Sequence, residues 1–227
     1  MHTELLTDDF KQAAADYRYL IERGYSQKSS LKITGDRYGL TACQRTLLYR
    51  GVLSSGQSLV RRNALTPASG SAYLTLDGYN IIVTMANYLY GRPVFLCTDG
   101  FLRDAGQVYG RLTRGPKFEK AAELLLSFLR SCNPRSVRIL FDRPVPKSGE
   151  LALRFREAMD RCSIIGSAET VRSPDYELKH VDQGAVCTSD SAIIDACRVP
   201  VSDLAREILD DTFAPEYIDL STLFPGG

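Results

Sequence analysis

The chain of 227 residues has no tryptophan and only two histidines, His2 and His180. So little histidine argues against a zinc site of the usual Cys/His kind. A Ser-His-Asp or Cys-His mechanism would have to rest on His180 alone. The six cysteines, Cys43, Cys97, Cys132, Cys162, Cys187 and Cys197, form no C-x-x-C pair. Most sit among apolar neighbours, which reads as free thiols in a reducing compartment. No stretch approaches the roughly 20 apolar residues of a membrane span. The start, "MHTELLTDDFKQ", has no basic segment followed by an apolar one, so no secretion signal is read there. A cytoplasmic protein with no membrane partner is the expectation. There is no P-loop and no G-x-G-x-x-G, which lowers a nucleotide-binding reading.

What is present is unevenly charged. Net charge is +1, yet residues 1–70 carry 10 Lys+Arg against 6 Asp+Glu, and residues 71–227 carry 18 against 21. The first part suits a polyanion; the second concentrates acids.

Three segments follow from the patterning: a helical domain over 1–53, a linker or long loop over 54–70, and an α/β domain over 71–227. Thr7 is placed to cap a first helix, with Asp8 and Asp9 in its first turn and Gly24 as its stop. A second helix is predicted over 27–34, ending near Gly35. Thr41 and Gln44 make a capping box for a third, through about Val52. The turn "TGDRYGL" between helices is compatible with a helix-turn-helix, for which Arg37, Arg45 and Arg50 supply phosphate contacts. A helical cap with its tyrosines packed inside explains the same pattern and is preferred. The Ser, Gly and Pro of "SSGQSLVRRNALTPASG" predict the linker, and Arg61 and Arg62 within it could face acids. Beyond it, strands are predicted at 72–77, 93–98, 136–142 and 184–188, with a weaker one near 163–171. Helices are predicted near 80–90, 117–132, 148–161, 190–197 and 202–211. Strands that are apolar throughout, alternating with helices, imply a mostly parallel sheet covered on both faces in three α/β/α layers.

Four of the apolar runs stop at or beside an aspartate. "AYLTLDGYNII" ends at Asp77, "PVFLCTDG" at Asp99, "VRILFDRP" at Asp142 and "GAVCTSDS" at Asp190. Ligands of open parallel sheets bind at the carboxyl ends of the strands. Taken singly, each aspartate fits a turn or a helix cap. Taken together they predict one acidic cleft. Two carboxylates about 4 Å apart repel by roughly 4 kcal/mol at an effective dielectric near 20, so a proton or a cation must sit with them. Oxygen donors with so little histidine suit Mg²⁺ or Mn²⁺. Asn80, Asp104, Glu150 and Ser189 flank the four as supporting residues, and Lys147 or Arg103 could steady developing charge.

"LDGYNII" resembles the first-strand motif of PIN-like nuclease domains, in particular the NYN branch, and "CTSDSAIID" resembles their later strand motif. The stretches "ERGYSQKSSLKITGDRYGLTACQRTLLYRGV", "DGYN", "DGFLRD", "KSGE" and "TSD" together resemble an uncharacterised prokaryotic family of unknown function. In that family a short helical domain precedes a PIN-like one, and the likeness runs over nearly the full chain. It implies a parallel α/β/α fold and metal-dependent cleavage of RNA, with Asp77 and Asp190 as metal ligands. Asp99 and Asp142 would complete the cluster and Asn80 would support it. "NIIVTMANYLYG" lacks the acid that many PIN domains carry in the helix after the first strand.

The expectation is a Mg²⁺- or Mn²⁺-dependent ribonuclease. Arg37, Arg45, Arg50, Arg61, Arg62 and Lys147 would hold the backbone of RNA or, less favourably, DNA. A non-catalytic RNA-binding or assembly module on the same fold is the alternative, and a homo-oligomer stays open.

Overall fold

The computed structural model describes residues 3–106 and 115–224. The chain divides into two compact units: Met1–Asn63 with Gly91–Gln107 and Pro215–Gly227, and Ala64–Tyr90 with Val108–Ala214. No helix among the described residues is long and apolar enough to cross a membrane.

The first unit carries α1 (Asp8–Glu22), α2 (Gln27–Arg37), α3 (Ala42–Gly51) and α4 (Ser55–Ala64). Thr7 caps α1, its side chain accepting from the Phe10 N–H, and Thr41 with Gln44 closes the capping box of α3. Helix α2 runs past Gly35. A Cβ there would stand 2.2 Å from a guanidinium nitrogen of Arg45 on α3, so this glycine makes room for the Arg45 side chain and does not end α2. Phe10, Tyr17, Leu47 and Leu48 form the core with Phe95, Ile218 and Leu220.

Residues 55–64, expected as linker, are helical. Ser54 Oγ accepts from the Gln57 N–H and caps the helix, a Ser-x-x-Gln signal that the serine- and glycine-rich composition obscures. Leu59 and Val60 are exposed, and Ser58 and Arg61 face inward. Polar tertiary contacts therefore hold this helix where an apolar stripe usually would.

The strands are, in chain order, β1 (Tyr73–Asp77), β2 (Val94–Leu96), β3 (Leu102–Asp104), β4 (Ser136–Asp142), β5 (Gly166–Val171), β6 (Ala185–Cys187), β7 (Val201–Ser202) and β8 (Ile218–Asp219). The strand predicted over 93–98 does not join the parallel sheet. It is β2, centre of a three-stranded sheet in the first unit, antiparallel to β3 and parallel to β8.

The second unit is the α/β/α body. Its five parallel strands lie in the order β5-β4-β1-β6-β7. Counted along the chain within this sheet, that is third, second, first, fourth, fifth, so the winding reverses beside β1. Such a reversal opens a crevice at the carboxyl ends of the strands. The helices are α5 (Gly78–Leu89), α6 (Pro116–Cys132), α7 (Ser148–Arg161), α8 (Pro174–Lys179), α9 (Ser191–Ile194) and α10 (Leu204–Phe213). On one face Tyr79 of α5 and Phe155 of α7 stack on Phe141, each with ring centroids 5.2 Å apart. On the other, Leu178 of α8 and Ile193 of α9 pack on Leu140, Val171 and Val186. Helix α5 is buried from Gly78 through Asn87, as its unbroken apolar run requires. Gly78 has no room for a side chain, since a Cβ would lie 2.5 Å from the Phe141 ring. The strand therefore turns into the helix directly after Asp77.

Candidate active site

Asp77 is the last residue of β1 and the cap of α5. Its Oδ1 accepts from the Asn80 N–H at 3.3 Å and its Oδ2 from the Thr188 hydroxyl at 3.1 Å. Thr188 Oγ1 in turn accepts from the Asp190 N–H at 3.1 Å. Asn80 Oδ1 receives both the N–H and the hydroxyl of Ser189, at 3.0 and 3.1 Å. Asp190 Oδ1 accepts from the N–H groups of Ala192 and Ile193 and caps α9. This network ties the end of β1 to the loop leaving β6, which is its neighbour in the sheet. The reversal of strand order is thus bridged by side-chain hydrogen bonds. Asn80 and Ser189 position the acids.

Asp142 closes β4. Asp77 pairs with Leu140 in the register, so Asp142 lies two residues further along the adjacent strand. Strand spacing then puts the two Cα atoms about 8 Å apart, with both side chains on the same face. Asp77 is 8% exposed. Burial pushes its carboxyl up to about 7, against the Asn80 and Thr188 hydrogen bonds, and the charges of Asp142 and Asp190 add to the rise. Asp142 is raised too, by burial and by Asp175 in the first turn of α8. Asp175 is exposed and was not among the residues singled out from the sequence. Its stretch "SPDYE" shows only an ordinary helix start.

Three of the four aspartates therefore share one sheet edge. Asp99 does not. It belongs to the other unit, is fully buried, and is gripped by two guanidiniums. Arg103 donates to both its oxygens at 2.9 Å, Arg61 donates to Oδ2 at 3.1 Å, and the Phe101 N–H donates to Oδ1. All of its partners are in the first unit. Asp104 is in that unit as well, and its Oδ1 accepts from the Gly106 N–H while its carbonyl accepts from Arg50.

The basic residues are placed just as plainly. Arg45 reaches Asp36 and the Leu40 carbonyl, and Arg62 donates twice to the Thr98 carbonyl. With Arg50 and Arg61, that makes four engaged within the first unit. Arg37 is exposed over the Tyr38 ring, and Lys147 is exposed 3.6 Å from Glu150. Burial pushes the Cys97 thiol up to about 12 and the Cys197 thiol up to about 11, so neither is an activated nucleophile.

Residues 68–207 match the family described as "Domain of unknown function (DUF5616)", a span that holds Asp77, Asn80, Asp142, Ser189 and Asp190. The chain belongs to this family. Residues 9–63, from α1 to α4, match "Protein of unknown function (DUF434)". An uncharacterised protein of Methanocaldococcus jannaschii, MJ0935, is 34% identical over 203 residues, covering 88% of this chain and 96% of that one. No solved structure matches the chain.

Whether the DUF5616 edge suits a metal depends on its donors. They are all oxygen, as hard divalent cations prefer. Burial disfavours the charged form of Asp77, and its two hydrogen bonds do not fully offset that cost. Among the described residues, no three of His, Cys, Asp or Glu are gathered into a ready cage. The donor chemistry is thus that of a hard cation, with Asp77, Asp142 and Asp190 as the residues that would hold one, but the described residues are not gathered around a single point.

Proposed function

We propose that the acidic edge hydrolyses RNA phosphodiester bonds with the help of Mg²⁺ or Mn²⁺, on a PIN-like fold. The observation that carries the reading is the buried Asp77 carboxylate, held at a strand-order reversal with two further aspartates on the same edge. A divalent cation bound there would neutralise these charges and activate water beside a phosphodiester. The chain itself does the placing. Thr188 and the Asn80 N–H fix the two oxygens of Asp77, and Asn80 holds the loop that presents Asp190. Near pH 7 Asp77 passes between its protonated and charged forms, so the anionic form needed for a cation gains population as pH rises. Lys147 is the basic residue of this unit proposed to meet the nucleic-acid backbone.

The test is cleavage of end-labelled single-stranded RNA and DNA by the full chain with Mn²⁺, Mg²⁺ or EDTA. Metal-dependent cleavage of RNA is expected, and its loss in Asp77→Asn and in Asp190→Asn. Equal cleavage by both variants would sink the reading. No cleavage in any lane would move the proposal to a non-catalytic RNA-binding or assembly module.

A further inference from the structure

The exposed positions of helix α2 are Lys28, Ser29, Lys32, Ile33, Asp36 and Arg37, with one apolar side chain among them. Lys28 and Lys32 stand one turn apart, and so do Ile33 and Arg37. The turn that leads into the helix adds Arg23, the cap of α1, and Tyr25, which is 58% exposed. Arg23 lies over the Tyr19 ring, 3.4 Å from its centroid, which fixes the guanidinium without neutralising it. All of these residues are in the first unit.

The cations here are not balanced by their surroundings. Asp16, Glu22 and Asp36, the carboxylates nearest along the chain, each serve another partner. Asp16 accepts from the Tyr38 hydroxyl, Glu22 from Ser55 and Asp36 from Arg45. No ion pair among the described residues engages Arg23, Lys28, Lys32 or Arg37. Lys28 is also in the first turn of α2, where a cation opposes the helix dipole. The first turn of α1 has Asp8 and Asp9 instead. A lysine at that place costs the helix stability and suits an anion from outside.

The spacing and the aromatic ring decide which anion. From Lys28 to Arg37 the helix rises about 14 Å, long enough for several charges in a row and too long for one small anion. An exposed ring such as Tyr25 stacks bases, provided that they are free of pairing. Ile33 alone is too little apolar surface to lie in a membrane.

We infer that this face binds a single strand of nucleic acid, its phosphates on Arg23, Lys28, Lys32 and Arg37 and its bases on Tyr25. The partner is the one the ribonuclease reading names, but the contact needs neither metal nor cleavage. Of the first-unit arginines expected from the sequence to hold RNA, only Arg37 belongs to this face. Arg45, Arg50, Arg61 and Arg62 are engaged within the unit.

The experiment follows the fluorescence anisotropy of a short labelled single-stranded RNA with the full chain in EDTA, over a range of salt. Saturable binding is expected, with a logarithmic salt slope of about −2.8 for four phosphate contacts. Lys28→Glu/Lys32→Gln should bind at least about tenfold more weakly and lose about half of that slope. Tyr25→Ala should bind about tenfold more weakly with the slope unchanged, as loss of a stacked base requires. Lys28→Glu alone should weaken binding while melting no lower than the unmodified chain, because an acid suits the first turn. The same change of charge at exposed positions of α6, Lys117→Glu/Lys120→Gln, should leave binding unchanged. The inference is overturned if the unmodified chain does not bind the single strand, if the α2 pair binds as the unmodified chain does, or if the α6 pair loses as much. It is equally overturned if the annealed duplex, or polyglutamate of equal charge, binds as tightly as the single strand. Because EDTA removes any metal, failure here is separate from failure of cleavage. Binding without cleavage would remove the ribonuclease reading and leave this contact standing.

Discussion

Replacing Asp77 with Asn is expected to make the protein more stable at pH 8, by on the order of 4 kcal/mol. The sign follows from proton counting. The carboxyl titrates near 7 in the fold, against an ordinary value of 3.8. Between those values the folded chain holds a proton that the unfolded chain has lost. Stability therefore falls as pH rises through that window. The penalty is absent well below it and complete above about 7. Asparagine carries no charge, can accept from the Asn80 N–H, and can donate to Thr188 Oγ1. The gain should vanish near pH 4 and reach roughly 10 °C in melting temperature at pH 8, given ~2–4 °C per kcal/mol for a chain of this size. Denaturation followed at both pH values checks it. Equal gains at pH 4 and pH 8 would remove charge burial as the cause. A residue that costs the fold its stability in this way makes sense where the charge itself is used.

Replacing Asp99 with Ala should do the reverse, costing about 3–5 kcal/mol. Asp99 is fully buried and faces Arg103 and Arg61, whose side chains are 2% and 5% exposed. Without it two guanidiniums remain buried with no carboxylate between them. Arg61→Ala should cost less, because Arg103 keeps both its bonds to Asp99. Urea unfolding of the two variants gives the order, and a milder effect for Asp99→Ala than for Arg61→Ala would contradict it. The same variant separates structure from chemistry: Asp99→Ala should weaken the fold without acting through a cation.

The contrast between these two aspartates shows how far the sequence could be read. Both end an apolar run and precede glycine, so locally they are alike. What divides them is sheet membership. β1 finds parallel neighbours in β4 and β6, while β2 turns back antiparallel with β3 and pairs with β8, more than 100 residues away. Apolar periodicity is blind to that choice. The sequence does hold one hint: Arg103 follows Asp99 by four residues in "DGFLRD", and it becomes the buried partner. Asp77, Asp142 and Asp190 were legible because the first two end strands of the parallel sheet and the third follows another, β6, by three residues. Asn80 was legible by its spacing, although its partner Ser189 lies 109 residues on. Helix α4 was hidden because its anchors are Ser58 and Arg61, polar residues that satisfy partners from elsewhere in the first unit. The role of Thr188, which links Asp77 to Asp190, depends on strand order and so became visible only in the fold.

We propose that Asp77 and its neighbours hold a divalent cation. The most direct measurement is a titration with Mn²⁺ at pH 8, following the melting temperature of the unmodified chain and of Asp77→Asn. A saturable rise in the unmodified chain, absent from Asp77→Asn, is the predicted result. The same rise in both, or none in either, would contradict it.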